Sequence, residues 1–134
     1  MEASAMSTQP GARRPVERPI NLDISKFSFP FAALASITHR ISGVIMFVAI
    51  AFLLSWFDEA TASPEGFAAI ADSGMVKFLL WLILCAVSYH FFAGIKHLLL
   101  DFHIADTVEA GEKAAKIAVG TAAVVALLLG IWIW

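Results

Sequence analysis

Charged residues are scarce in this sequence. Of its 134 residues only 15% are Asp, Glu, Lys or Arg, 60% are hydrophobic, and the mean hydropathy is +0.81. A soluble domain of this length needs far more polar surface, so the composition excludes one. The net charge of −2 and the lack of a basic block give no indication of nucleic-acid binding.

Cysteine is nearly absent as well, because Cys85 is the only one in the sequence. A single cysteine excludes a disulfide framework and a zinc site with Cys/His spacing, and we interpret Cys85 as a small apolar residue. The first 17 residues lack the apolar centre of a secretory signal. They predict a disordered N-terminal tail (1–17), followed by a single transmembrane domain (18–134).

Three stretches of at least 17 residues contain no Asp, Glu, Lys or Arg. Phe78–Ile95 and Ile117–Trp134 have 18 residues each, and Ile41–Phe57 has 17. A helix needs about 20 apolar residues to cross a hydrocarbon core about 30 Å thick. Together with their flanks, the stretches predict three transmembrane helices, over residues of about 31–57, 75–101 and 110–134.

The segments between the spans carry helix signals of their own. Pro19–Pro30 mixes apolar and polar residues and suits the headgroup level, and Pro30 can open the first helix. Ser63-Pro64-Glu65 predicts an N-cap and a short surface helix, and Asp106–Glu109 predicts a capping box for the third span. Small residues recur every fourth position of that span and predict close helix packing: Ala118, Ala122, Ala126 and Gly130.

The distribution of Lys and Arg predicts the orientation in the membrane. Most of these residues precede the first span or flank the second connection, whereas the first connection has only Lys77 nearby. The N-terminus is therefore predicted to be cytoplasmic, and the C-terminus to face the opposite side. Four tryptophans then fall at the outer interface, as an aromatic belt does: Trp56, Trp81, Trp132 and Trp134.

An ionisable residue within the second span is the strongest functional signal. A helix there places four residues on one stripe, because offsets of 4, 7 and 11 return to the same face: His90, Gly94, His97 and Asp101. His90 would lie deep in hydrocarbon, where an ionisable ring without a function is costly. A neutral imidazole that faces a glycine gap suggests a haem ligand, and a hydrogen bond between helices is the alternative.

This chain could supply one or both of the axial ligands of a haem. His90 and His97 cannot ligate the same iron, because they project from one helix face about 10 Å apart. His39 with His90 stays open, since their estimated depths differ by about one turn. Three helices form a thin wall around so large a cofactor, and we therefore favour a second ligand from a partner subunit.

Arg40 is the only charged residue that must enter the first span. Its side chain could snorkel back to the surface. Ser36 shares its helix face, however, and a hydroxyl beside a guanidinium makes a donor pair for a carbonyl or carboxylate group. The candidates are a quinone carbonyl and a haem propionate, and His39 on a neighbouring face could serve the other of the two.

Four segments in this order resemble the cytochrome b membrane-anchor family of succinate dehydrogenase. They are RPINLD at Arg18–Asp23, SITHRISG at Ser36–Gly43, SPEGF at Ser63–Phe67, and the stretch from His90 to Asp101 with its GIKH motif. The pattern is most similar to the bacterial type with two anchor chains and one haem. The resemblance implies an all-α membrane protein whose three transmembrane helices pack with a second anchor subunit into a larger helical bundle around haem b.

The resemblance also implies roles for single residues. His90 would be one axial haem ligand, with a histidine of the second anchor subunit as the other. Ser36 and Arg40 would line the ubiquinone site near the iron–sulfur subunit. The implied contacts of the haem propionates are His39, Arg40 and His97. Lys96 departs from the family, which usually has Arg after Gly-Ile. A lysine keeps the positive charge but lacks the bidentate fork of a guanidinium.

The implied activity is that of a subunit of succinate:ubiquinone oxidoreductase, in the tricarboxylic acid cycle and respiratory chain. Succinate would be oxidised on a flavoprotein subunit with FAD, and electrons would pass through the clusters of an iron–sulfur subunit. The expected location is the bacterial inner (cytoplasmic) membrane, with the mitochondrial inner membrane as second choice. A small transporter subunit and a purely structural anchor are the alternatives, although a transporter more often has paired repeats or broken helices.

Overall fold

Three long helices and one short helix make up the fold. The computed structural model describes residues 29–104 and 107–134. The helices are α1 (Phe31–Ala62), α2 (Pro64–Asp72), α3 (Gly74–Asp101) and α4 (Val108–Ile133). Helices α1, α3 and α4 are each long and apolar enough to cross a membrane, which confirms the predicted all-α fold with three transmembrane helices. The predicted tail (1–17), the RPINLD motif and most of the predicted headgroup-level segment lie outside the described residues.

Helix α1 is longer than the apolar pattern predicts. It begins after Pro30, whose carbonyl oxygen accepts hydrogen bonds from the backbone N–H groups of Ala33 and Leu34. It then continues past the predicted end at residue 57 to Ala62. Its 32 residues correspond to about 48 Å, which exceeds a hydrocarbon core of about 30 Å. The helix ends where Ser63 is extended before Pro64, as the residue preceding a proline prefers.

The predicted N-cap and short helix in the first connection are confirmed. The backbone N–H of Gly66 donates to Oγ of Ser63 at 3.0 Å, and Pro64 occupies the first turn of α2. Helix α2 then turns back against the end of α1. At the contact, a Cβ on Gly66 would lie only 2.4 Å from the carbonyl oxygen of Glu59, so this close approach requires glycine.

The end of α3 is a Schellman motif with an unusual residue. The N–H of Ile104 donates to the carbonyl of Leu99, and the N–H of His103 donates to the carbonyl of Leu100, both at 3.0 Å. His103 has φ of +58°, a position that usually carries glycine. Thr107 then caps α4, since its hydroxyl accepts from the N–H of Ala110 at 3.1 Å. The predicted capping box differs by one residue, and its Asp106 lies outside the described residues.

Neighbouring long helices are antiparallel, with α3 packed against both α1 and α4. The predicted small-residue stripe lies in the α3–α4 contact. Ala118 and Ala122 are buried there, and the indole N–H of Trp81 donates to the carbonyl of Ala126 at 2.9 Å. Gly130 lies beneath the same indole. Small side chains thus let α4 approach α3 closely enough for a side chain to reach its backbone.

Helix α1 contacts the rest of the chain along a narrow stripe. Its buried residues are Ala35, Ser42 and Ala49, which are spaced seven residues apart. Large apolar side chains cover the other faces, with Phe47 the most exposed of α1 at 76%. Such a surface suits lipid or the helices of another membrane subunit.

Candidate functional site

Three imidazoles meet between α1 and α3. The rings of His39 and His90 are stacked, with centroids 4.1 Å apart and planes inclined by 23°. The ring of His97 lies on the other side, 5.1 Å from that of His39 at 38°. The predicted stripe of α3 thus faces α1, and it brings His90 and His97 to either side of one histidine of the SITHRISG motif.

The hydrogen bonds of His90 define its tautomer. Its Nδ1 lies 3.1 Å from the carbonyl oxygen of His39 and 3.0 Å from Oγ of Ser42. A carbonyl oxygen only accepts, so Nδ1 must carry the proton for this contact to be a hydrogen bond. The lone pair is then on Nε2, which makes no hydrogen bond to the described residues. An Nδ1–H that donates to a backbone carbonyl is the usual arrangement of a metal-ligating histidine.

The stacking of His39 and His90 does not fit a shared iron. Two axial ligands must point a ring nitrogen at the metal from opposite faces of the porphyrin. Here the two rings face each other with their flat sides 4.1 Å apart at the centroids. His39 is therefore a neighbour of His90 in this arrangement, and the alternative of two ligands from this chain is not supported.

Two glycines lie against these rings. A Cβ on Gly94 would lie 3.6 Å from Nε2 of His39, and a Cβ on Gly43 would lie 3.2 Å from Cε1 of His90. The sequence predicts a glycine gap at Gly94 opposite His90. In the structure Gly94 faces His39, and the glycine next to His90 is Gly43 from the other helix.

A groove of about 320 Å³ opens beside His90 on the α1–α3 surface. Apart from Gly43 and His90, its lining is apolar: Met46, Phe47, Ile50, Leu53, Ile83 and Val87. An apolar wall with one imidazole of the correct tautomer suits a flat macrocycle with a central iron. These residues therefore fit a haem on this face.

Two polar groups of the SITHRISG motif, on His39 and Arg40, lack partners among the described residues. Nε2 of His39 is buried and has no hydrogen bond within the part of the chain that the structure describes. Such an atom calls for a group beyond the described residues. Ser36 is half-buried and Arg40 is exposed, four residues apart on α1, and Arg40 forms no ion pair with a described residue.

Sequence reasoning missed two features of the same region. Lys96 is only 4% exposed, although its position beside the second connection predicts a membrane-surface cation. No described carboxylate forms an ion pair with it. In addition, the hydroxyl of Tyr89 donates to the carbonyl of Ala35 at 3.0 Å and is hydrogen-bonded to Thr38. These bonds fix α1 against α3, and neither follows from a single-helix pattern.

Comparisons with known proteins identify the family of this chain. The family model for the succinate dehydrogenase/fumarate reductase transmembrane subunit matches residues 14–129. A succinate dehydrogenase cytochrome b556 subunit of Coxiella burnetii is 37% identical over 122 residues, which cover 88% of this chain and 98% of that protein. The subunit of the same name from Paracoccus denitrificans is 30% identical over 115 residues, covering 83% and 88%.

A third relative is more distant. The succinate dehydrogenase cytochrome b556 subunit of Rickettsia felis is 26% identical over 118 residues, which cover 88% of this chain and 91% of that protein. The family match spans most of the sequence, and the three long apolar helices agree with a transmembrane subunit. This multi-pass membrane chain therefore belongs to the family of cytochrome b transmembrane subunits of succinate dehydrogenase, and it is part of an enzyme complex.

Proposed function

We propose that this chain binds haem b and forms part of the ubiquinone-reduction site of its complex. The observation that carries the proposal is the hydrogen bonding of His90. Its Nδ1 faces the carbonyl of His39 at 3.1 Å, which leaves Nε2 free to ligate iron beside an apolar groove. The printed names of the relatives, cytochrome b556 subunits, support the choice of haem b.

In this proposal His90 and a histidine of a second membrane-anchor subunit would both ligate the haem iron. The groove beside His90 is open on one side, and the exposed apolar faces of α1 provide a surface for further helices. When bound, the haem would accept and release one electron at a time. The chain would hold it by ligation through His90 and exclude water with the apolar lining.

His39, Arg40 and His97 would contact the haem propionates in this proposal. The buried Nε2 of His39 needs a partner, and a carboxylate would supply one. The exposed guanidinium of Arg40 on α1 and the half-buried ring of His97 on α3 would donate to the carboxylates as well. Charge-assisted hydrogen bonds of this kind are about twice as strong as neutral ones.

Ubiquinone is the proposed substrate of the Ser36–Arg40 face. The hydroxyl and the guanidinium would both donate to a carbonyl oxygen of the quinone ring. Arg40 would stabilise the negative charge that develops on this oxygen during reduction, as fixed donors do in other active sites. The electrons would come from succinate through FAD on a flavoprotein subunit and the clusters of an iron–sulfur subunit, in the tricarboxylic acid cycle and respiratory chain.

The proposed location is the bacterial inner membrane, with the N-terminus in the cytoplasm. Lys113 and Lys116 are exposed at the end of the bundle where α1 begins. The opposite end carries exposed acids, among them Asp58 and Glu59. This asymmetry supports a cytoplasmic N-terminus by the positive-inside rule.

Difference spectra of the purified complex, reduced minus oxidised, test the haem assignment. The variant His90→Ala should lose the b-type signal, because it removes the nitrogen that would ligate the iron. His103→Asn is the matched control, since it removes an imidazole outside the groove and asparagine tolerates the positive φ. A signal that persists in His90→Ala would leave a purely structural anchor, with haem contacts on its partners, as the better description.

A further inference from the structure

We propose that Ser42 is a positioning residue that fixes the ring orientation of His90 and tunes the redox potential of the group it ligates. The inference rests on the proposed haem ligation by His90. Ser42 lies on α1, outside the quinone and propionate residues considered above. It is one of three polar or charged residues that are buried in the described chain, at 5% exposure.

The carbonyl of His39, the hydroxyl of Ser42 and Nδ1 of His90 form a triangle. Oγ of Ser42 lies 2.6 Å from the carbonyl oxygen of His39 and 3.0 Å from Nδ1 of His90. The third side, from Nδ1 to the carbonyl oxygen, measures 3.1 Å. All three distances are within hydrogen-bonding range.

Counting protons assigns the roles in this triangle. The carbonyl oxygen has no proton, so the hydroxyl of Ser42 donates to it over the shortest side. The Nδ1–H of His90 then has two acceptors, the carbonyl oxygen and the lone pairs of Oγ. In the other tautomer Nδ1 and the carbonyl oxygen would be two acceptors in contact with no proton between them.

Two acceptors at different directions hold a ring more firmly than one. The carbonyl alone would still allow the imidazole to swing about this contact, whereas the triangle fixes both the nitrogen and the ring plane. Acceptors at Nδ1–H also make the opposite nitrogen a better electron donor to a metal. Stronger donation stabilises the oxidised metal, so loss of the Ser42 hydroxyl should make the midpoint potential more positive.

Ser88 provides a matched comparison within the same chain. It is also a buried serine, at 8% exposure, and it lies two residues from His90 on α3. Its hydroxyl donates to the carbonyl of Leu84 at 2.8 Å, within its own helix. Removal of that hydroxyl costs a buried hydrogen bond near the site and leaves the bonds of His90 in place.

The experiment uses the assembled complex with Ser42→Ala, Ser42→Thr, Ser88→Ala and His90→Ala. Haem content, the midpoint potential and the low-spin ferric EPR g values are measured for each variant. We expect Ser42→Ala to keep haem with a more positive potential and shifted g values. Ser42→Thr, which keeps a hydroxyl, should restore both quantities toward the wild type, and Ser88→Ala should leave both unchanged.

The outcomes separate this inference from the proposed function. Equal potentials and g values in Ser42→Ala and Ser88→Ala overturn the role of Ser42, even if His90→Ala loses the haem. Haem that persists in His90→Ala overturns the ligand assignment itself. If Ser42→Ala assembles without haem, Ser42→Thr decides: a wild-type potential supports the role of the hydroxyl, and a lost or shifted haem signal contradicts it.

Discussion

Gly43 lies directly against the ring of His90. A Cβ on this glycine would stand 3.2 Å from Cε1 and 3.7 Å from Nδ1 of the imidazole. The first distance is shorter than an ordinary carbon–carbon contact of about 3.5–4.0 Å. Any side chain at position 43 must therefore push the ring away from the carbonyl and hydroxyl that hold it.

The variant Gly43→Ala should consequently lower haem content or shift the EPR g values of the haem that remains. Overpacking of this kind costs about 1–3 kcal/mol, and Gly43→Val should have a stronger effect than alanine. Gly120→Ala is the control, because nothing lies within 4 Å of its added Cβ. Wild-type haem content and g values in Gly43→Val would contradict the close packing of Gly43 on His90.

The sequence predicts the elements of this fold better than the contacts between them. The charge-free windows report the membrane interior, so they find α1, α3 and α4. They miss the last turn of α1 because Asp58 and Glu59 continue the helix beyond the hydrocarbon. Hydropathy predicts which residues lie in the hydrocarbon core of the membrane. The end of a helix is instead determined by a residue that cannot continue it, and α1 ends before Pro64.

In the candidate site, too, the sequence predicts the features within one helix and not the contacts between helices. The depth of His90 in a span follows from the sequence, and so does the stripe that it shares with His97. That Ser42 and Gly43 contact His90 depends on the register of α1 against α3. This register is set by long-range contacts such as the bond from Tyr89 to the carbonyl of Ala35, which no periodicity within one helix can encode.

The guanidinium of Arg40 gives a second prediction. If it stabilises charge on a quinone oxygen, Arg40→Ala should lower succinate-dependent ubiquinone reduction by about 10²-fold, as loss of a fixed donor does elsewhere. Ser36→Ala should have a smaller effect, about 2- to 10-fold, because a neutral hydrogen bond contributes about 0.5–1.5 kcal/mol. Steady-state rates with a short-chain ubiquinone measure both.

A second assay of the Arg40 and Ser36 variants, with an electron acceptor other than quinone, is the control for defects in assembly. Electron transfer from succinate to a soluble dye should be unchanged in Arg40→Ala, since in the proposed complex the flavoprotein and iron–sulfur subunits would carry out that reaction. Lys113→Ala removes an exposed cation from the same end of the bundle and should affect neither assay. Equal losses with ubiquinone and dye would indicate an assembly defect and count against the quinone role.

The turn between α1 and α2 gives a third prediction, on stability. A Cβ on Gly66 would lie 2.4 Å from the backbone oxygen of Glu59, and backbone cannot move aside as a flexible side chain does. Gly66→Ala should therefore lower the thermal midpoint of the detergent-solubilised complex, with a cost of at least about 1–3 kcal/mol. Gly74→Ala meets no atom within 4 Å, and equal midpoints for both variants would contradict the steric argument.

The last prediction concerns Trp81, whose indole N–H donates to the carbonyl of Ala126 at 2.9 Å. Trp81→Phe keeps an aromatic ring and removes this bond between α3 and α4, so it should destabilise the chain by about 1 kcal/mol. Trp132→Phe is the matched control, because Trp132 is 79% exposed. Thermal unfolding followed by tryptophan fluorescence compares the two variants, each of which loses one indole. A lower thermal midpoint for Trp81→Phe than for Trp132→Phe supports a stabilising role of this hydrogen bond. Equal decreases in both midpoints would indicate a general aromatic-belt role and contradict it.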